Sequence, residues 1–189
     1  MQNLMIKTSA LVLGMSLLAG SALAEWTLDN ENSVLYYASI KKETVSEINS
    51  FKTLSGGISD AGLATLEVDL ASVDTKVEIR DQRMQQYFFE TDKFTTATAM
   101  IDLGDDGVKP GEHEVTAKLN LHGVEKDVAA KVMVMEEGDT LSVFTLAPVM
   151  VNSSDFGLDA GIDMLKKLAQ LDSINKAVPV TFLLTFKKQ

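Results

Sequence analysis

The stretch that decides the fold is Gly111-Glu-His-Glu-Val-Thr-Ala-Lys-Leu-Asn-Leu-His-Gly123, followed by Val124 to Val134. Val115, Ala117, Leu119 and Leu121 alternate with Thr116, Lys118, Asn120 and His122. After the turn at Gly123, the alternation resumes at Val128, Ala130, Val132 and Val134. A period of two places one face of a strand against a core and the other against water, and two such runs joined at a glycine form a hairpin. The same alternation recurs at Val34, Tyr36, Ala38 and Ile40 against Leu35, Tyr37, Ser39 and Lys41. It recurs again at Val178, Val180, Phe182, Leu184 and Phe186. Similar strand signals lie near 45–58, 62–70, 97–103 and 139–152, separated by SGG, GDDG, KPGE and EEGD turns. About eight strands on short connections form a sandwich or close into a barrel.

Two segments depart from the alternation. In Ile79 to Phe94, Met84, Tyr87 and Phe88 fall on one helical face, with Asp81 near its start. In the second, from Leu158, the residues Ile162, Leu165, Leu168, Ala169 and Leu171 form a stripe opposite Lys166 and Lys167, with Asp159 as the expected N-cap. Either stripe can pack into a core or close one end of a barrel.

The chain begins with Lys7 ahead of an apolar run near Ala10 to Ala19 and ends that segment with Ala22-Leu23-Ala24. This is the pattern of a secretory leader, too short to span a bilayer, and it predicts a secreted mature protein starting at Glu25. No later segment is long and apolar enough for a membrane-spanning helix. Losing the leader removes one lysine, so the net charge of −10 becomes more negative still. Without a basic cluster, such a domain is repelled by phosphate backbones, and nucleic acid is not expected as a partner.

Catalytic chemistry finds few candidates. The chain has no cysteine, which removes disulfides, thiolate metal sites and a cysteine nucleophile. Its two histidines are His113, in a polar turn, and His122, at a strand end. Ser153 and Ser154 lie outside any G-x-S-x-G elbow, and Asp105-Asp106-Gly107 reads as a plain turn, not a calcium loop. Neither metal ligands, a phosphate loop nor a cofactor motif has the required spacing. The expectation is a protein without enzymatic activity, metal or cofactor.

Several blocks, in order, resemble the YceI family of bacterial lipid- and polyisoprenoid-binding proteins, over about 25–187. They are Trp26-Thr27-Leu28-Asp29 with Ser33, Gly56-Gly57 as a turn, and Val73-Asp74-Thr75 with Arg80-Asp81 and Phe88-Phe89. Leu119 to Val124 and Ser154-Asp155-Phe156-Gly157-Leu158 complete the set. The resemblance implies a mainly β fold, an antiparallel eight-stranded lipocalin-like barrel with one or two short helices. It also implies a periplasmic binding protein that holds a long-chain amphiphile: a polyisoprenoid, a quinone-like lipid or a fatty acyl chain. The purpose would be transport, storage or scavenging, and a homodimer is compatible with it. Tyr36, Met84, Tyr87, Phe88, Phe89, Phe156, Leu165 and Phe182 are the expected interior ligand contacts, with Arg80 and Asp81 orienting the helical segment. Changing Phe88 and Phe89 to alanine is expected to weaken lipid retention more than stability.

Two positions depart from the family pattern. Ser153 stands where the family carries an arginine, and Lys93-Phe94 stands where a proline is common. The Ala160 to Leu171 segment is also longer and more helical than the usual loop there.

The barrel's size suits the implied cargo. Strands of eight to ten residues make a tunnel of roughly 25–30 Å. Burying ~400 Å² of hydrocarbon there contributes at most ~10 kcal/mol before ordering costs. The alternative is a barrel packed solid by its Phe and Met side chains, acting as a periplasmic interaction or stress-response protein. A third reading is an accessory to quinone-linked electron transfer.

Overall fold

The computed structural model describes residues 24–104 and 107–189. Residues 1–23 of the expected leader lie outside the described residues, as do Asp105 and Asp106 of the expected turn, while its last residue, Ala24, begins the first strand.

Twelve hydrogen-bonded strands form one antiparallel sheet. They are β1 (Ala24–Leu28), β2 (Val34–Lys41), β3 (Val45–Phe51), β4 (Leu54–Ser59), β5 (Leu63–Asp69), β6 (Val73–Asp74), β7 (Thr96–Asp102), β8 (Gly111–Leu121), β9 (Val124–Glu137), β10 (Thr140–Thr145), β11 (Val149–Asn152) and β12 (Ala177–Lys188). Four successive pairs, β1/β2, β3/β4, β5/β6 and β10/β11, are single staves interrupted by a bend, so the twelve strands make eight staves of a closed barrel. Closure is made by β12. Its C-terminal end pairs with β1 (Trp26 with Lys188) and its first half with β2 (Val180 with Tyr37). On its other edge it carries β10 and β11.

The bends follow from local chemistry. Asp29 accepts backbone N–H bonds from Glu31 and Asn32, starting a 3₁₀ turn between β1 and β2. Asn30 then reaches the next stave, donating to the Lys52 carbonyl at 3.2 Å and accepting from Leu54 N at 2.7 Å. Ser72 Oγ accepts from Thr53 N at 3.1 Å, which ties in the third stave. Three neighbouring staves therefore bend at one level, and polar side chains satisfy the backbone groups that the ladder releases there. Between β10 and β11 the interruption contains Pro148, which has no N–H to donate.

Several details differ from the sequence reading. The run 45–58 is two strands, not one, and Gly56-Gly57 is not a turn: both residues sit inside β4, opposite Leu66 and Thr65. Gly56 has φ +147, and a Cβ there would lie 2.1 Å from the Thr65 carbonyl oxygen. The glycine serves close backbone approach. The β8–β9 hairpin turns on His122 and Gly123, both at positive φ (53 and 76), as a tight two-residue hairpin requires.

Helix α1 (Glu78–Arg83) runs without interruption into a π-helical turn, Met84–Phe89, and α2 (Asp159–Ala169) packs against it. The Glu90 N–H donates to the Gln85 carbonyl five residues back. The extra residue per turn brings Phe89 inward beside Met84 and Phe88, while Tyr87 turns out to the surface. Asp159 is the first residue of α2, not its N-cap. Its carboxylate accepts from Ser154 Oγ at 2.7 Å and pairs with Lys176 at 2.7 Å.

Candidate functional site

The inward faces of the staves enclose two chambers of about 450 and 270 Å³. Leu35, Val68, Ala97, Leu119, Val151 and Val180 line both, so the chambers share a waist. The smaller chamber is walled by β-branched and aromatic residues such as Val115, Val132, Val143, Phe182 and Phe186. The larger lies under the helices and is lined by Phe51, Met84, Phe88, Phe89, Ile162 and Leu165, among others. It reaches the surface beside Val77 and Ile79, which line it and yet are 41% and 53% exposed.

The helices that roof this end are fixed where they cross. A Cβ on Gly161 of α2 would lie 2.9 Å from the Tyr87 carbonyl oxygen and 3.0 Å from Phe88 Cα. Ile79, Arg80 and Arg83 of α1 and Leu165 and Ala169 of α2 line the chamber, together with Leu171 after α2. Asp81 anchors α1, accepting from Thr75 N at 2.8 Å and Thr75 Oγ1 at 2.5 Å. Arg80 donates to the Thr75 carbonyl at 3.3 Å and pairs with Glu47, which also binds Lys41. Burial works to raise the Glu47 pKa, but Lys41 and Arg80 outweigh it and hold the carboxyl below its ordinary value. The orienting role expected for Arg80 and Asp81 thus has a concrete geometry.

Below this charged rim lies a band of neutral polar groups. Tyr37 and Asn49 face each other across β2 and β3, and Ser153 follows β11. Asn49 Nδ2 donates to Ser39 Oγ at 3.2 Å. Among the described residues, Tyr37 Oη, Asn49 Oδ1 and Ser153 Oγ are buried without a hydrogen-bond partner, and all three residues line the larger chamber. Burial, then the nearby Asp81 charge, pushes the Tyr37 phenol upward, so it stays protonated. Groups of this kind are costly unless something answers them.

The expected contacts are distributed unevenly. Met84, Phe88, Phe89 and Leu165 line the larger chamber, and Phe182 lines the smaller. Tyr36 points outward at 45% exposure, and its neighbour Tyr37 takes the inward position because Tyr37 pairs with Val180 on the core-facing register of β12. Tyr87 lies on the outer side of the π turn. Phe156 is wholly buried in the core and lines neither chamber. Phe88 and Phe89 pack edge to face at 4.8 Å, and Phe89 also meets Phe51 at 5.8 Å. Truncating both removes core packing as well as lining, so the double alanine variant lowers stability along with lipid retention, and the expected order of the two effects is read by measuring both. The sequence reading passed over Tyr37, Asn49 and Arg83. Expecting Tyr36 inside put Tyr37 on the opposite, outer face of the strand.

Among the described residues, no group of three or more His, Asp or Glu is arranged to hold a metal ion, and no helix is long and apolar enough to cross a membrane. An eight-stave antiparallel barrel with an apolar interior and a polar rim is a binding scaffold of the lipocalin-like class. The chain belongs to the YceI-like domain family, whose model matches residues 26–186. It is 35% identical to a polyisoprenoid-binding domain from Saccharophagus degradans implicated in plant cell wall breakdown. That similarity covers 88% of this chain and 100% of that one, with a TM-score of 0.84. BcnA of Burkholderia cenocepacia shares the fold at 20% identity, over 84% of this chain and 98% of that one, with a TM-score of 0.68. A YceI protein of Campylobacter jejuni shares it at 17% identity, over 75% and 84% of the two chains, with a TM-score of 0.55. No curated protein matches the chain.

Proposed function

We propose that the protein binds a single long-chain amphiphile inside the barrel, with the hydrocarbon running through both chambers and the polar end at the helix-roofed rim. The observation that carries this reading is the pair of connected apolar chambers, about 450 and 270 Å³, of which the larger is bordered by charged and neutral polar groups beneath the helices. A volume in this range is that of a ligand site, and it counts against an interior filled by Phe and Met side chains. Similarity to a polyisoprenoid-binding domain supports an isoprenoid as cargo, with quinone-like and fatty acyl chains as the neighbouring chemistries. The protein acts as a carrier, store or scavenger, not a catalyst. Export through a cleaved leader ending at Ala24 places it in the periplasm, and the family match beginning at Trp26 supports that boundary.

Native mass spectrometry of protein purified from its own periplasm without detergent tests the reading. A discrete added mass that extracts as one isoprenoid or acyl chain is the expected result. Protein that is empty and also ignores added polyprenyl lipids would overturn it.

A further inference from the structure

We propose that the rim of the larger chamber is an anion site centred on Arg83, and that the amphiphile carries an acidic head, a carboxylate or a phosphate monoester. This rests on the binding function proposed above and narrows its ligand class.

The charge at the rim runs against the charge of the molecule. The whole chain carries −10, yet the charged side chains that line the larger chamber are Lys41, Arg80 and Arg83 against Glu47 alone. Glu47 is already occupied by Lys41 and Arg80. Asp81 is turned to Thr75, accepting from both its backbone and its hydroxyl. Arg83 is different. It lies on the cavity-facing stripe of α1 with Ile79, Arg80 and Met84, half-buried, and among the described residues it has no carboxylate partner. A guanidinium held beside an apolar chamber, with an excess of positive charge around it, favours an anion presented at the end of an apolar chain. Its planar fork suits a carboxylate or phosphate oxygen pair.

The neutral band adds to this. Tyr37 Oη and Ser153 Oγ are buried hydroxyls of the same chamber without partners, and each can donate to an oxygen. Neither hydroxyl brings a charge, so among the described residues of the chamber the unpaired cation is the one supplied from α1.

The test uses delipidated protein and three probes with one chain and different heads: geranylgeraniol, geranylgeranoic acid and geranylgeranyl monophosphate. Binding is measured at low and at physiological salt, with inorganic phosphate as a competitor. The acidic probes should bind about tenfold or more tightly than the alcohol at low salt, with the gap narrowing as salt rises. Arg83→Gln should bring the acid-to-alcohol affinity ratio close to one, and Arg83→Lys should restore part of it. Melting curves establish that each variant is folded. Equal or tighter binding of the alcohol, or an unaltered ratio in Arg83→Gln, would overturn the anion site while leaving the chamber as a lipid site. Competition by inorganic phosphate at the concentrations where the lipids bind would overturn the lipid head as the occupant and assign the site to the free anion. If none of the three probes binds, the function proposed for the chamber falls, and the anion site with it.

Discussion

Gly161 offers a prediction whose sign separates two physical effects. Glycine inside a helix costs about 1 kcal/mol relative to alanine, so Gly161→Ala in a free helix would stabilise α2 by about that amount. The structure opposes this. The added methyl would lie 2.9 Å from the Tyr87 carbonyl oxygen and 3.0 Å from Phe88 Cα, and both are backbone atoms of the π turn that cannot rotate away. Relieving the contact needs α2 to move off by several tenths of an ångström, and overpacking of this kind costs about 1–3 kcal/mol. The helix gain offsets part of that cost. The net expectation is destabilisation of up to about 2 kcal/mol, or a fall in melting temperature of up to about 8 °C for a domain of this size. The displaced helix also widens the rim between Ile79 and Leu165, so bound lipid should exchange faster. Thermal unfolding followed by circular dichroism, with lipid off-rates measured alongside, checks both. An increase in melting temperature would show that the helices are not held at this crossing, and the account of the roof would be wrong.

Other perturbations address the interior and the rim. Ala97 belongs to the walls of both chambers, so Ala97→Phe should fill the waist. A C20 isoprenoid should then bind at least about tenfold more weakly while a C10 chain is retained, as isothermal titration would show. Leu141, fully buried on β10 opposite Phe186, borders no chamber, and Leu141→Ala should cost about 2–5 kcal/mol and lower the melting temperature without altering lipid preference. For Glu47, whose folded pKa lies below its ordinary value of 4.5, the ion pairs stabilise fully above that value and are lost as pH falls through the lowered one. The melting-temperature gap between the wild type and Glu47→Gln should therefore be constant from neutral pH to about 5 and close in more acidic buffer. A gap that persists at pH 3 would assign the effect of Glu47 to packing.

How far the sequence spoke depended on how many physical constraints each residue carried. In β8 the face opposite Val115, Ala117 and Leu119 is polar or charged at Glu114, Thr116, Lys118 and Asn120, so only the apolar face can turn inward, and these three residues line the smaller chamber with Val128, Ala130, Val132 and Val134 of β9. In β2 both faces are apolar at their start: Val34 and Tyr36 compete with Leu35 and Tyr37. Local pattern could not choose between them. The choice is made from outside the strand, by pairing Leu35 with Phe182 and Tyr37 with Val180, and a one-residue error there reverses every side chain.

The helical cap shows a second kind of limit. Counting at 3.6 residues per turn put Tyr87 with Met84 and Phe88, but the segment leaves the α-helix after Arg83 and widens to a π turn. No residue between Met84 and Phe89 announces that change. Its cause is tertiary: two adjacent phenylalanines, Phe88 and Phe89, both reach buried sites, at 8% and 5% exposure, and consecutive α-helical positions diverge by about 100°. The wider turn resolves the conflict at the expense of Tyr87, which is left on the surface. Because the same turn carries the backbone that Gly161 touches, the conformation that buries the aromatic pair also sets where α2 can lie. The width of the rim beside Arg83 thus follows from a packing conflict between two neighbouring side chains.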